Sequence, residues 1–198
     1  MEYRLELGPD GLTDGVIRVR HLVEGDAQSY AVGMSDHAVA PFGRLPRGRY
    51  TTDIVRHDIR TRIAYGLRDN RFALLAVADA IEDTFLGSIM LSDLDWTNGT
   101  GEVKFWLTPD ARGQGVATGA LALLCDWCFD ELGLRTVIAH TSAVDEASQQ
   151  VLTRVGFLRA DGAESAGGLG GGAVGGGVGA AGTHVRWQRT ARPRSTTA

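Results

Sequence analysis

The sequence is almost without lysine: Lys104 stands alone among 20 basic residues, and arginine supplies the rest. Cysteine is nearly as scarce, at 2 in 198 residues, which excludes a disulfide framework and makes a cytosolic compartment the default. No apolar run approaches the ~20 residues of a membrane span, and the N-terminus lacks a signal-peptide pattern. Positive charge is in deficit too. The net charge of −4 argues against a nucleic-acid binder that relies on bulk electrostatics. The length suits one globular domain, taken as residues 1–190, able to bury roughly 70% of its unfolded surface.

Glycine is in excess, at 27 of 198 residues, well above the usual ~7%. The excess is local: 11 glycines fall between Gly162 and Gly182. A stretch with so little side chain to bury reads as a flexible loop inside the domain. After it, His184 to Arg189 alternates like a short strand, and residues 191–198 read as a disordered basic tail.

The remaining periodicities give a coarse map. Strands are expected at 16–20, 71–78, 84–91, 102–107 and 134–141, and helices at 24–34 and 50–67. Ala120, Leu123, Leu124, Trp127 and Cys128 mark a long helix that Gly133 should stop. Asp145 to Val155 is the last helix. The order is α+β: an antiparallel meander, one βαβ unit and a closing strand.

Between the strand ending at Leu107 and the long helix lies Ala111-Arg112-Gly113-Gln114-Gly115-Val116-Ala117-Thr118-Gly119. Glycines admit a ligand close to the backbone, and a helix start adds unpaired N–H donors and the positive end of its dipole, so the segment favours a phosphate or pyrophosphate. A dinucleotide fingerprint fits poorly. Its third glycine position is occupied by Thr118, and the next strand ends in His140-Thr141 where an acid is wanted.

Residues 112–117, RGQGVA, resemble the R/Q-x-x-G-x-G/A acyl-CoA loop of the GNAT superfamily of N-acetyltransferases. The surrounding text is similar to its RimJ/RimL branch: GEVKFWL, then Pro109 to Ala117, a helix closing on ELGL, and an N-x-A-S-like helix start at 145–148 that leads to Gly156-Phe157. The resemblance implies a GNAT fold, with a mixed, mostly antiparallel sheet of about six to seven strands and about four helices. Strands 102–107 and 134–141 would splay apart around the donor, acetyl-CoA. Phe105, Trp106 and Leu107 would bond the pantetheine arm, with a backbone N–H there, that of Leu107, polarising the thioester carbonyl. Gly113, Gln114, Gly115, Val116, Ala117 and Thr118 would hold the pyrophosphate, with Arg112 adding charge. Glu102 would act as the base toward the amine and Ser148 as the proton donor to the leaving thiolate. Met34, Asp36, Phe42 and Trp96 fall in segments that line the acceptor pocket in relatives. Two departures stand out: Asp145 replaces the usual Asn that bonds CoA, and Gly119 replaces a common glutamate.

Plainer readings sit beside these. A strand-end carboxylate is ordinarily just solvated, and Ser148 could be an ordinary polar helix position. Cys125 and Cys128 form a single C-x-x-C without a second pair, and the five histidines show no ligand spacing, so no metal is expected. The expected activity is transfer of an acetyl or other acyl group to a primary amine of a small molecule or a protein N-terminus, directly in a ternary complex. The expectation extends to a homodimer and excludes a membrane or nucleic-acid partner. The competing reading is a catalytically silent acyl-CoA-binding sensor.

Overall fold

The protein's structure, a computed structural model, describes residues 5–37, 39, 49–160 and 184–192. The chain runs through β1 (Leu12–Thr13), β2 (Ile17–His21), a 3-10 turn (Glu24–Asp26) and α1 (Ala27–Gly33). A continuous helical run follows, formed by α2 (Thr52–Asp58), a π turn (Ile59–Ile63) and α3 (Ala64–Arg68). Next come β3 (Ala73–Asp79), β4 (Phe85–Asp95), β5 (Thr100–Leu107), a 3-10 turn (Pro109–Ala111) and α4 (Val116–Asp130). The chain then forms β6 (Thr136–Ser142), α5 (Glu146–Arg154), β7 (Leu158–Arg159) and β8 (His184–Thr190).

Among the described residues the strands make one sheet of eight, in the order β1-β2-β3-β4-β5-β6-β8-β7. The β5–β6 pair is parallel and every other pair antiparallel. Eight strands exceed the expected six to seven. β1 and β7 have two residues each, too few for an alternating pattern to show. β6 starts at Thr136 rather than at 134 because Leu134 and Arg135 form the connection. The Leu134 N–H closes back on Cys128 O at 2.8 Å, and the Arg135 N–H donates to Gly99 O at 2.7 Å. The glycine-rich segment 162–182 lies outside the described residues, as does most of the 191–198 tail.

Burial explains the layers. β3 is apolar almost throughout because it is a central strand covered on both faces. On one face, Leu121, Leu124, Trp127 and Cys128 of α4 pack with Leu75, Ile89, Leu91 and Val103. On the other, Tyr30, Met34, Val55, Ile59 and Ile63 pack with Phe85 and Trp106. Successive strand residues point to opposite faces, so β5 sends Val103 and Leu107 towards α4 and Trp106 the other way. Glu102 and Lys104 share the phase of Trp106. This parity places the polar residues of β5 beside α1 and α2, away from the helix that follows the glycine loop.

Trp106 is fixed by Tyr30 and Phe85, with ring centroids 5.3 and 5.8 Å away. Gly33 makes room for it, since a Cβ there would lie 2.4 Å from the Trp106 ring. Gly33→Ala is therefore expected to lower unfolding stability by about 1–3 kcal/mol in urea titration, as overpacking does elsewhere. An unchanged midpoint would contradict this packing.

Candidate active site

Pairing between β5 and β6 runs from Thr100↔Thr136 to Val103↔Ala139 and then ends, although β5 continues to Leu107 and β6 to Ser142. The Thr108 N–H donates to Leu86 O at 2.9 Å, so alternation along the β4–β5 ladder turns the N–H and C=O of Phe105 and Leu107 towards β6. Among the described residues no strand pairs with them there. Leu107 O is taken instead by Arg112, whose Nε and Nη2 donate at 3.2 and 3.0 Å. The Phe105 and Leu107 N–H groups form an open sheet edge of the kind that an extended ligand can augment.

Gly113 and Gly115 hold φ of +74 and +83, and a Cβ at either would meet nothing within 4 Å. They shape the turn into α4 while leaving the approach to its backbone clear. Gly119 is the first amide of the helix to bond back, donating to Gly115 O at 3.0 Å. Among the described residues, the N–H groups of 113–118 have no backbone or side-chain acceptor. Thr118 Oγ1 is buried and likewise without a partner. An unpaired N–H cluster on a helix start is complementary to an anion.

Two cavities flank the gap. One of about 280 Å³ lies towards the glycine loop and includes Leu107, Arg112, Gly113, Ala117 and Ala147. The other, about 520 Å³, lies over Glu102, His140, Tyr30 and Tyr50. Phe105, Trp106, Asp145 and Ser148 line both, so they form the rim between the two.

Glu102 sits in the larger cavity with its side chain 19% exposed. Its Oε1 is 3.2 Å from Lys104 Nζ and 3.4 Å from His140 Nδ1. Burial pushes its carboxyl up, but His140 and Lys104 together outweigh that and hold it below the usual carboxylate range. Glu102 is an anion at neutral pH.

The acetyltransferase (GNAT) domain model matches residues 17–158, most of the chain and all of this site except β8. The chain belongs to the GNAT acetyltransferase family. A curated Bacillus subtilis (strain 168) relative, YdaF, named as a ribosomal N-acetyltransferase, is 32% identical over 77 residues. That match takes in 39% of this chain and 42% of YdaF, so it spans less than half of either. The fold is shared with Mycobacterium smegmatis RimJ in complex with CoA-disulfide, at 20% identity and a TM-score of 0.71, covering 92% of this chain and 84% of that one. It is also shared with Vibrio cholerae spermidine N-acetyltransferase in complex with CoA and spermine, at 14% identity and a TM-score of 0.70, covering 89% and 96%.

Within this GNAT domain the residues singled out from sequence separate into those that gather and those that do not. Phe105, Trp106, Leu107, Gly113, Ala117, Asp145, Ser148 and Glu102 line the two cavities at the gap, whereas Gln114, Gly115, Val116 and Thr118 line neither and Val116 packs into the core. Arg112 does not extend freely towards the gap: besides Leu107 O, its guanidinium binds the Asp36 carboxylate. Asp36 is thus a tether for the loop and lines neither cavity. Met34 is 1% exposed in the core under α1, where its position at the end of that helix faces inward. Trp96 belongs to a separate surface depression with Asp69, Arg71 and Asp93, because it follows the far end of β4. Phe42 lies outside the described residues. Cys125 and Cys128 are core residues; burial pushes the Cys125 thiol up to about 12 and the Cys128 thiol well above its ordinary value.

Both departures from the family pattern have local causes. Asp145 caps α5, its Oδ1 accepting the Ser148 N–H at 3.0 Å, a bond that needs only an acceptor. A side chain at position 119 would press on Ile17 Cδ1, 3.0 Å from where its Cβ would sit. His140, one of the five histidines without ligand spacing, lines the cavity and touches Glu102. Tyr30, Tyr50 and Met90 also line it, and no motif marks them.

Asp145→Ala is expected to lower stability by about 1 kcal/mol and Asp145→Asn by much less, since the Asn carbonyl accepts the same bond. Equal losses in urea titration would contradict the capping role. Glu102 has a lowered folded-state pKa, so its ion pairs stabilise fully above the ordinary carboxylate range and are lost as pH falls through the folded value. The stability gap between wild type and Glu102→Gln should therefore narrow between pH 7 and pH 3, and a gap that widens would contradict it.

Proposed function

We propose that this chain is an acetyl-CoA-dependent N-acetyltransferase that moves an acetyl group directly to a primary amine in a ternary complex. The observation that carries the reading is the interrupted β5–β6 ladder with one cavity on each side. The Phe105 and Leu107 edge would hold the pantetheine arm, and the N–H groups of 113–118 would hold the pyrophosphate. The thioester supplies an activated acyl carbon when bound. Everything else asked of the protein is positioning and proton handling.

The Leu107 N–H is the donor placed to stabilise negative charge developing on the acyl oxygen. The cluster around Glu102 removes a proton from the amine, which is mostly protonated in neutral water. Ser148, whose hydroxyl donates to no acceptor among the described residues and which lines both cavities, serves the departing sulfur.

The acceptor is a primary amine carried by a protein N-terminus or a small molecule. The described cavity lining holds the carboxylates Glu102 and Asp145 against the cations Arg62 and Lys104. Both acids are already engaged, Glu102 by Lys104 and His140 and Asp145 by the Ser148 N–H. Such a lining gives a polycation no concentrated negative charge and suits a single amine, as at a peptide N-terminus.

Incubating acetyl-CoA with a panel of N-terminal Ser and Ala peptides, spermidine and an amino sugar tests the reading by release of free thiol. Turnover with at least one peptide is expected, and spermidine should be a poor acceptor. Gly115→Val should weaken acetyl-CoA binding by about tenfold or more, because a β-branched residue is strained at that φ and stands in the approach. Binding without turnover of any amine would overturn the transferase reading in favour of a sensor. No acetyl-CoA binding would overturn both.

A further inference from the structure

We propose that His140 is the group that accepts the proton from the acceptor amine, and that Glu102 is a positioning residue that holds its ring. The inference rests on the acetyl-transfer reading for its chemistry and on β5–β6 geometry for its residues. Glu102 pairs in register with Ile138, so His140 stands one diagonal step further along β6, where the ladder has already ended. Its Nδ1 reaches back to Glu102 Oε1 at 3.4 Å. With that nitrogen turned to the carboxylate, Nδ1 carries the hydrogen and Nε2 keeps its lone pair. His140 is 35% exposed and lines the acceptor cavity, whereas the Glu102 side chain is enclosed and engaged by two donors.

Chemistry favours the same division. A carboxylate stabilised by Lys104 and His140 is a weak base towards an ammonium, while an imidazole changes charge near neutral pH. The charged and titratable groups around His140 are Glu102 and Lys104 on β5, Arg186 opposite it and His184 on β8, and Asp145 at the start of α5. His37 and Arg62 line the cavity from the α1–α2 layer.

In the step, Nε2 takes one proton from the ammonium. The freed nitrogen lone pair forms the N–C bond to the acyl carbon while the C–S bond breaks. The second amine proton ends on the departing sulfur, passed through the Ser148 hydroxyl, and His140 returns its own proton to solvent. The products are an amide, a free thiol and one proton.

The test combines ¹⁵N-histidine NMR of the full chain with kcat/KM for thiol release across pH, using acetyl-CoA and the best peptide of the panel. The His140 resonances, assigned by their loss in His140→Gln, should show the Nδ1–H tautomer. Glu102→Gln should shift them towards a mixture. His140→Gln should lower kcat/KM by about 100-fold and remove its fall towards low pH, and Glu102→Gln should lower it less, by about tenfold. An Nε2–H tautomer, or His140→Gln with full kcat/KM and an unchanged acid limb, would overturn the proposal. The tautomer is read without substrate, so a wild type that turns over no amine would overturn the transferase reading and the base role. The Glu102–His140 pairing would still stand or fall by the spectrum.

Discussion

The ladder between β5 and β6 forms over four residues and then stops, and the rest of the site depends on that interruption. A parallel pair can diverge only if something else holds the two strands in place. β5 is held by the long antiparallel β4, and β6 by β8 along its whole length. The buried Trp187 Nε1 donates to Thr141 Oγ1 at 3.0 Å, which secures β8 against the diverging end of β6. The sheet can therefore leave the backbone donors of Phe105 and Leu107 without a strand partner among the described residues and not fray.

The glycine loop and α4 extend the same logic. Two left-handed glycines let the chain turn from β5 into a helix whose first amides stay unbonded. Arg112 fastens the turn to the Leu107 carbonyl and, across 76 residues of sequence, to Asp36. The donors for an anion and the edge for an extended arm are thus parts of one rigid corner. Strand parity completes the arrangement by placing Glu102 and Lys104 on the opposite face from α4, beside the aromatic layer of α1 and α2.

Much of this corner was legible in the sequence because it is local. β5, the glycines and α4 follow one another within about thirty residues, and each carries its own signature in alternation, turn chemistry or helical spacing. What was not legible depends on registers between distant strands. Nothing in the spacing of Glu102 and His140 says that they meet, since the meeting needs a parallel pairing offset by two residues. Arg112 read as a charge for the pyrophosphate, and its bond to Asp36 was not legible because that partner lies 76 residues away. Met34 and Trp96 were misplaced for the same reason: position along the chain did not tell which face of α1, or which end of β4, each would occupy. The glycine excess divides into two groups in the sequence, and among the described residues Gly113 and Gly115 shape the turn into α4.

In the proposed reading, the open β5 edge and the start of α4 receive the donor. Backbone amide NMR of the ¹⁵N-labelled protein, titrated with CoA, tests this without any acceptor. The amides of Phe105, Leu107 and residues 113–118 are expected to shift together and saturably, with those of β2 and β3 unmoved. Saturable CoA binding that leaves these amides in place and perturbs another surface would contradict the account.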